Sequence, residues 1–215
     1  MGNVVSLEAR RQGRPSNRGS ARLERARTAF HFDLADPGTY LAAERVDRLF
    51  PGIAWVPTSL HVLRGVQASG AAWDADDAVA ARASALRMPL VWPERHPSPR
   101  PAAMRAAAYA AEVGRGAAFV LAASRLAFCG GFDLDDPEVL AEAAAAAGIG
   151  LRECLQAAGE SERDVEMEQA AHRLLAAGAE SLPVVRVGRL VFAGEERVGA
   201  ASAAWRDPAP LRRRA

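Results

Sequence analysis

The 215-residue sequence predicts an α/β fold in which a helical block separates two sheet-forming segments. Three observations lead to this prediction. A strand, a tight turn and a helix follow one another around Asp36-Pro37-Gly38. A succession of helical segments occupies residues 102 to about 178, and two short apolar strands then flank Gly188. The predicted order is β-α-β, a helical insertion, and β-β-α.

The composition is that of a globular protein with a real core. Half of the residues are hydrophobic, a quarter are charged, and the net charge of +1 argues against a nucleic-acid-binding protein. The two cysteines, Cys129 and Cys154, form no C-x-x-C pair, so we expect small buried side chains rather than a disulfide or a nucleophile. The sequence has no long apolar run and no secretory h-region, so we expect a cytoplasmic protein without membrane contact.

The chain divides into parts by its composition and periodicity. Residues 1–27 form an Arg-rich segment with few large apolar side chains, and we expect a disordered basic leader. Residues 28–100 and 179–206 are expected to be the two parts of one sheet-containing domain. Residues 101–178 are expected to be an inserted helical subdomain, and residues 207–215 a frayed tail.

The first element is a short strand that leads into a capped helix. Apolar side chains from Phe30 to Leu34 alternate with His31 and Asp33, which predicts a strand with one polar face. Asp36 is suited to be the N-cap of the next helix, and Pro37 its first residue. The N-terminal N–H groups of such a helix attract anions.

A second strand and the remaining segments complete the pattern. The first helix is expected to reach Leu49, and Ile53–Pro57 to form a parallel strand after a crossover. Residues 58–70 are expected to be loop or weak helix, and Asp77 the cap of an Ala-rich helix. The strands after residue 183 are expected to form an antiparallel hairpin, followed by a closing helix over residues 196–206. This order of elements is the thioredoxin arrangement.

Several separated motifs, in order, resemble one superfamily. They are Phe32-Asp33 through Tyr40-Leu41, Pro57-Thr58-Ser59-Leu60, Met88–Pro93, Ala103-Met104-Arg105, Phe132–Leu140, Leu182-Pro183-Val184 and Phe192–Arg197. Together they are similar to the DsbA-like thioredoxin-fold group, and within it to the 2-hydroxychromene-2-carboxylate isomerases and kappa-class glutathione transferases. The resemblance covers roughly residues 29–205.

The resemblance implies a glutathione site. Pro183 would be a cis-proline that faces the first turn, and the backbone of Leu182 would bind the cysteinyl part of glutathione. Glu195 and Glu196 would lie near the γ-glutamyl amine. The alternative for each glutamate is a solvated surface charge.

Three further residues are candidates for substrate binding. Ser59 lies in the loop after the second strand, and His96 lies in a proline-rich loop that could line the site. Arg105 could hold a substrate carboxylate with two hydrogen bonds, or it could pair with a local acid. The four histidines have no metal-ligand spacing, so no metal is expected. The expected partners are a small-molecule substrate and, by analogy, a second copy in a homodimer.

Asp36 departs from the sequence pattern of the families that this chain resembles. At this position the dithiol relatives carry Cys, and the isomerase and transferase branch carries Ser. An ionised aspartate offers only acceptors and would repel a thiolate. Three interpretations stay open: Thr39 supplies the hydroxyl, Asp36 is a base or binding group for another substrate, or Asp36 is only an N-cap.

Two functions follow from these observations. The first is a glutathione-dependent isomerase or transferase that acts on small aromatic or apolar electrophiles, with Asp36 and Thr39 as the catalytic candidates. The second is a thioredoxin-fold binding module whose active turn has lost its chemistry. A dithiol oxidoreductase is disfavoured because the cysteines are not paired.

Overall fold

The structure, a computed structural model, describes residues 28–65 and 72–207, and the side chains of residues 72–75 are not described. The predictions for the leader, residues 1–27, and for the tail from residue 208 lie outside the described residues. Within the described residues, no helix is long and apolar enough to cross a membrane.

The elements follow the predicted order. The strands are β1 (Ala29–Phe32), β2 (Ala54–Pro57), β3 (Val184–Val187) and β4 (Leu190–Ala193). The helices are α1 (Pro37–Leu49), α2 (Leu60–Arg64), α3 (Ala72–Ala85), α4 (Pro101–Glu112), α5 (Gly116–Phe128), α6 (Pro137–Ala147), α7 (Leu151–Ala158), α8 (Asp164–Ala176) and α9 (Val198–Arg206). Short 3₁₀ turns at Ser161–Arg163 and Glu195–Arg197 precede α8 and α9.

The four strands form one sheet in the order β2-β1-β3-β4. β1 and β2 are parallel, while β3 is antiparallel to both β1 and β4. The parallel pair and the closing hairpin are therefore as predicted, and so is the β-α-β, helical insertion, β-β-α order.

Helices cover both faces of the central strand β1. On one face Phe30 and Phe32 pack with Trp55 in a large apolar cluster. On the other face, a smaller cluster contains Leu63 of α2 and Leu174 of α8. The polar face predicted for β1 is therefore buried, because a central strand covered on both sides has no solvent-facing side chains.

The helical insertion extends the large core cluster. Met104, Phe119, Phe128 and Leu140, from α4, α5 and α6, belong to the same cluster as Phe30 of the sheet. α5 packs against both α1 and α6. The insertion and the sheet thus share one apolar core.

Two helices differ from the sequence predictions. α3 begins at Ala72, and Asp77 lies inside it rather than at its cap. An Ala-rich segment without Gly or Pro can extend a helix in this way. The segment expected as loop or weak helix contains α2, in which Ser59 is the N-cap and Leu60 and Leu63 are buried.

Candidate functional site

Asp36 caps the helix that follows the first strand. Its backbone is extended, with φ −93° and ψ 115°, and its Oδ2 atom accepts a hydrogen bond of 3.1 Å from the Thr39 N–H. Pro37 occupies the first turn, where its missing N–H has no cost. The cap predicted from the sequence is present, and it directs the Asp36 carboxyl toward the helix N-terminus.

The turn lies directly against Pro183. A Cβ atom added to Gly38 would lie 2.9 Å from Pro183 Cδ and 3.1 Å from Asp36 Oδ2. The Leu182–Pro183 peptide bond is cis, and the Pro183 carbonyl accepts a 2.8 Å hydrogen bond from the Gly194 N–H. The fold thus brings together two segments that are far apart in the sequence, as the resemblance implied. This close approach leaves no room for a larger side chain at position 38.

Thr39 is fully buried, and its hydroxyl is used within the turn. Thr39 Oγ1 lies 3.4 Å from Asp36 Oδ2, to which it donates, and accepts a hydrogen bond of 3.4 Å from the Asp33 N–H. A hydroxyl in this position does not face a bound ligand. The geometry therefore weakens the interpretation in which Thr39 replaces the family's serine.

Asp33 is a second buried carboxyl at this site, and the sequence analysis did not propose it. Its Oδ1 accepts a 2.8 Å hydrogen bond from the Ala35 N–H, and its Oδ2 accepts one of 2.8 Å from the Leu60 N–H. Asp33 therefore ties the start of α2 to the turn. The available sequence signal was an acid that follows an apolar strand. The alternation of apolar and polar residues, however, assigned Asp33 to the polar face of that strand.

Burial changes the proton affinity of both carboxyls. It raises the pKa of Asp36 to about 7, opposed by the positive charge of Arg64 and assisted by the charge of Asp33. Burial also raises the pKa of Asp33, opposed by its two backbone hydrogen bonds and by Arg64. Asp36 can therefore hold or release a proton near neutral pH, which an ordinary aspartate cannot do.

Arg64, at the end of α2, is a charged residue that the sequence analysis missed. Its positive charge reaches Asp33, Asp36 and also His96, whose pKa it helps to lower. Its side chain is exposed, and among the described residues it has no ion-pair partner within 4.0 Å. No sequence motif identifies Arg64, because its closeness to Asp33 and Asp36 depends on how α2 packs.

His96 lies in an aromatic layer beside the site. Its ring stacks on Trp92 at 4.5 Å and meets Phe128 edge-on at 5.9 Å, and its Nε2 lies 3.4 Å from Asp76 Oδ1. Phe128 stacks in turn on Tyr40 in the first turn of α1. Burial lowers the pKa of His96, and the Asp76 carboxylate opposes that shift.

The two glutamates predicted to bind glutathione differ in their surroundings. Glu195 is buried and forms ion pairs with both Arg45 and Arg82, and its carbonyl also accepts a 2.8 Å hydrogen bond from Arg45. This carboxylate already has two cationic partners, which weakens its assignment to the γ-glutamyl amine. Glu196 is exposed and folds back over Gly194, so it is the better candidate of the two.

Two of the predicted substrate-binding residues are engaged within the chain. Arg105 forms two hydrogen bonds, of 2.8 and 2.6 Å, to the carboxylate of Asp164. The alternative of a local acid partner is therefore the one observed. Ser59 caps α2, where its Oγ accepts a 3.3 Å hydrogen bond from the Val62 N–H.

The two cysteines differ in their exposure. Cys154 is buried, as expected, whereas Cys129 is exposed. The expectation of a buried Cys129 was wrong because the residue is the C-cap of α5, where the chain leaves the core. Within the described part of the chain, no three His, Cys, Asp or Glu residues are grouped to hold a metal ion.

Comparisons with known proteins establish the fold. No protein-family model and no curated protein matches the sequence. A 2-hydroxychromene-2-carboxylate isomerase superposes with a TM-score of 0.69 and 17% identity, over 82% of this chain and 93% of that one. A probable DsbA oxidoreductase from Streptomyces coelicolor gives a TM-score of 0.63 and 20% identity, over 83% and 87%. The chain therefore has the fold of the DsbA-like thioredoxin superfamily, with a helical insertion between its two halves.

Proposed function

We propose that this protein is a glutathione-dependent isomerase or transferase in which the Asp36 carboxyl replaces the usual serine or cysteine. One observation carries the proposal. Asp36 lies at the N-terminus of α1, opposite Pro183, with its pKa raised to about 7 by burial. An acid with a pKa near the working pH is suited to general acid–base catalysis.

The chemistry needs only a proton exchange between Asp36 and a thiol. The ionised carboxylate accepts the proton of the glutathione –SH, which yields a thiolate and a neutral carboxylic acid. The neutral acid then donates a hydrogen bond to that thiolate, as a serine hydroxyl would. The N-terminus of α1 stabilises the thiolate charge. In an isomerisation the proton returns to sulfur when glutathione is regenerated. In a transfer the sulfur forms a bond to carbon, the leaving group departs, and Asp36 releases its proton to solvent.

Other residues suggest how the ligands would bind. Glu196 is an exposed carboxylate for the γ-glutamyl ammonium group, and Arg64 is an exposed cation for a carboxylate. The stacked rings of Trp92 and His96, which are half-buried, are suited to contact a small aromatic or apolar electrophile. The isomerase with the similar fold is named for an aromatic carboxylate, which has the same chemical character.

Calorimetry with reduced glutathione at pH 6 and pH 8 tests this function. We expect wild-type binding to strengthen from pH 6 to pH 8, because the ionised Asp36 that accepts the thiol proton forms as the pH rises through about 7. Asp36→Ser should show a steeper increase, because its thiol must lose the proton to solvent over the whole interval. Asp136→Ser, at the exposed cap of α6, should behave as the wild type. An absence of binding at millimolar glutathione in both wild type and Asp36→Ser would refute the proposal.

A second candidate is a binding module without turnover. This candidate is favoured because Asp36 and Thr39 are buried and their side chains are hydrogen-bonded to each other. Turnover of an aryl halide such as 1-chloro-2,4-dinitrobenzene above background, lost in Asp36→Ala or Thr39→Ala, would count against this candidate. In either case we expect no insulin reduction, since the cysteines are unpaired. We also propose that the protein is cytoplasmic and forms a homodimer. Analytical ultracentrifugation can test the oligomeric state.

A further inference from the structure

A cavity of about 370 Å³ lies between β2, α4 and α8, and none of the turn residues lines it. Its apolar lining comes from Val56, Pro57, Ala108, Met167 and Ala170. The volume lies within the range of about 300–1,000 Å³ that is typical of small-molecule sites, and such sites combine apolar walls with a few convergent polar groups. This cavity meets that description.

Part of the charge on the cavity wall is already paired. Arg163 forms ion pairs with Glu160, at 2.8 Å, and with Glu112 on the opposite wall, at 2.5 Å. Its guanidinium also lies 5.7 Å from the Tyr109 ring centroid. These groups hold one another in place and leave little charge for a ligand.

Three other charged residues of the wall lack such partners. Among the described residues, Glu162, Glu166 and Arg173 have no ion-pair partner within 4.0 Å. Each faces the cavity together with the apolar side chains. A charged ligand would therefore form its ion pairs with these three residues.

The order of these groups along α8 defines the shape of the ligand. Glu166, Ala170 and Arg173 follow the i, i+4, i+7 spacing of one helix face, and Glu162 extends the negative end. Two helical turns, or about 10 Å, separate Glu166 from Arg173. We propose that this cavity binds an elongated zwitterion, with its ammonium group at Glu162 and Glu166, its apolar middle on Met167 and Ala170, and its acid group at Arg173.

Calorimetric titration of the full chain with 8-aminooctanoate, octylamine and octanoate tests the proposal. We expect 8-aminooctanoate to bind more tightly than either single-charge probe. Glu166→Gln should weaken 8-aminooctanoate and octylamine by about two- to fivefold, the range of a partly exposed ion pair, and leave octanoate unchanged. Arg173→Gln should weaken 8-aminooctanoate and octanoate similarly and leave octylamine unchanged.

Two further variants serve as checks. Ala108→Leu adds three carbon atoms to the cavity wall and should weaken binding of 8-aminooctanoate, with an unchanged circular dichroism spectrum showing that the variant folds. Glu142→Gln, at an exposed position of α6, should change nothing. The proposal is wrong if 8-aminooctanoate fails to bind at millimolar concentration, or if neither Glu166→Gln nor Arg173→Gln alters its affinity. It does not depend on the proposed chemistry at Asp36.

Discussion

Asp36 and His31 are buried ionisable residues, and burial raises the pKa of Asp36 but lowers the pKa of His31. For Asp36 the folded state holds the proton more tightly than the unfolded chain, because burial opposes the negative charge. For His31 the folded state holds the proton less tightly, because burial and then the charges of Arg186 and Arg173 oppose a positive ring. Both residues favour their neutral forms in the fold.

The Asp36 shift predicts a loss of stability as the pH rises. Its pKa rises from 3.8 in the unfolded chain to about 7 in the fold, so its contribution is full below about pH 4 and is lost as the pH increases through 7. Asp36→Asn keeps an N-cap acceptor but cannot ionise. In urea unfolding at several pH values between 4 and 8, the variant should lose less stability with rising pH than the wild type.

The control for this prediction is Asp136→Asn, which alters the exposed Asp-Pro cap of α6. It should leave the pH profile of the wild type unchanged. A wild-type profile identical to that of Asp36→Asn would show that Asp36 is ionised throughout, contrary to the effect of its burial.

His31 predicts the opposite dependence, a loss of stability as the pH falls, in an overlapping pH range. Its Nδ1 lies 3.1 Å from Thr58 Oγ1, and Thr58 donates its own hydroxyl proton to the Val56 carbonyl, so Nδ1 is the protonated nitrogen. Nε2 is buried and has no hydrogen-bond partner among the described residues. Because the pKa is lowered from 6.5 to about 4, the contribution is full above pH 6.5 and is lost toward pH 4.

NMR titration of the histidine ring signals checks this prediction directly. The His31 signals should stay those of a neutral ring at pH 5.5. Comparison with His31→Gln assigns them. A midpoint for His31 near 6.5 would contradict the prediction. The pH slope of stability should also flatten on the acid side in His31→Gln.

At the level of elements, two ion pairs join α1 and α3 to the turn before α9. Glu195 in the turn before α9 accepts from Arg45 of α1 and from Arg82 of α3. A buried carboxylate between two guanidinium groups is stable only while both partners remain. These two ion pairs, the Glu195 clamp, hold α3 against α1 and the turn before α9.

We therefore predict that Glu195→Gln lowers the free energy of unfolding by about 2 kcal/mol, because charged hydrogen bonds are replaced by weaker neutral ones. Its neighbour provides the matched control, since Glu196 is exposed and forms no ion pair among the described residues. Glu196→Gln should change stability by less than about 0.5 kcal/mol. Urea unfolding of both variants gives the comparison, and equal effects would mean that the clamp adds nothing.

The contact between the first turn and Pro183 gives a second prediction at this level. Gly38→Ala places a methyl group 2.9 Å from Pro183 Cδ, so one segment must shift. We expect a loss of about 1–3 kcal/mol, typical of overpacking. Gly199→Ala, in α9, meets no atom within 4 Å and should instead stabilise by about 0.5 kcal/mol. Thermal unfolding measures both, and a stable Gly38→Ala variant would mean that the turn and Pro183 are farther apart.

For the whole molecule, the shared core predicts cooperative unfolding. Phe30 and Trp55 of the sheet belong to the same apolar cluster as Phe119 and Leu140 of the insertion. Neither part can lose its packing without exposing the other. The insertion should therefore not unfold on its own.

The test compares far-UV circular dichroism, dominated by the helices, with tryptophan fluorescence during urea unfolding. The two curves should coincide. Phe119→Ala, which removes a fully buried ring from α5, should lower stability by about 3–5 kcal/mol and keep the curves together. Separate transitions for the two signals would instead indicate that the insertion is an independent unit.

The sequence by itself determined the features that depend on neighbouring residues. Strand and helix periodicity, the Asp36 cap and the hairpin around Gly188 arise within short segments, and their order was enough to predict the thioredoxin arrangement. The resemblance then placed Pro183 opposite the turn. The predictions of the elements and their order succeeded because local geometry and apolar pattern are read from adjacent positions.

Only the tertiary structure decided what the charged side chains do. Arg105 meets Asp164, 59 residues away, and Glu195 meets Arg45, 150 residues away, so neither is available as the sequence suggested. The packing of α2 brings the charge of Arg64 near Asp36. Burial likewise set the pKa of Asp36, since desolvation depends on everything packed around the carboxyl and on no single neighbour in the chain.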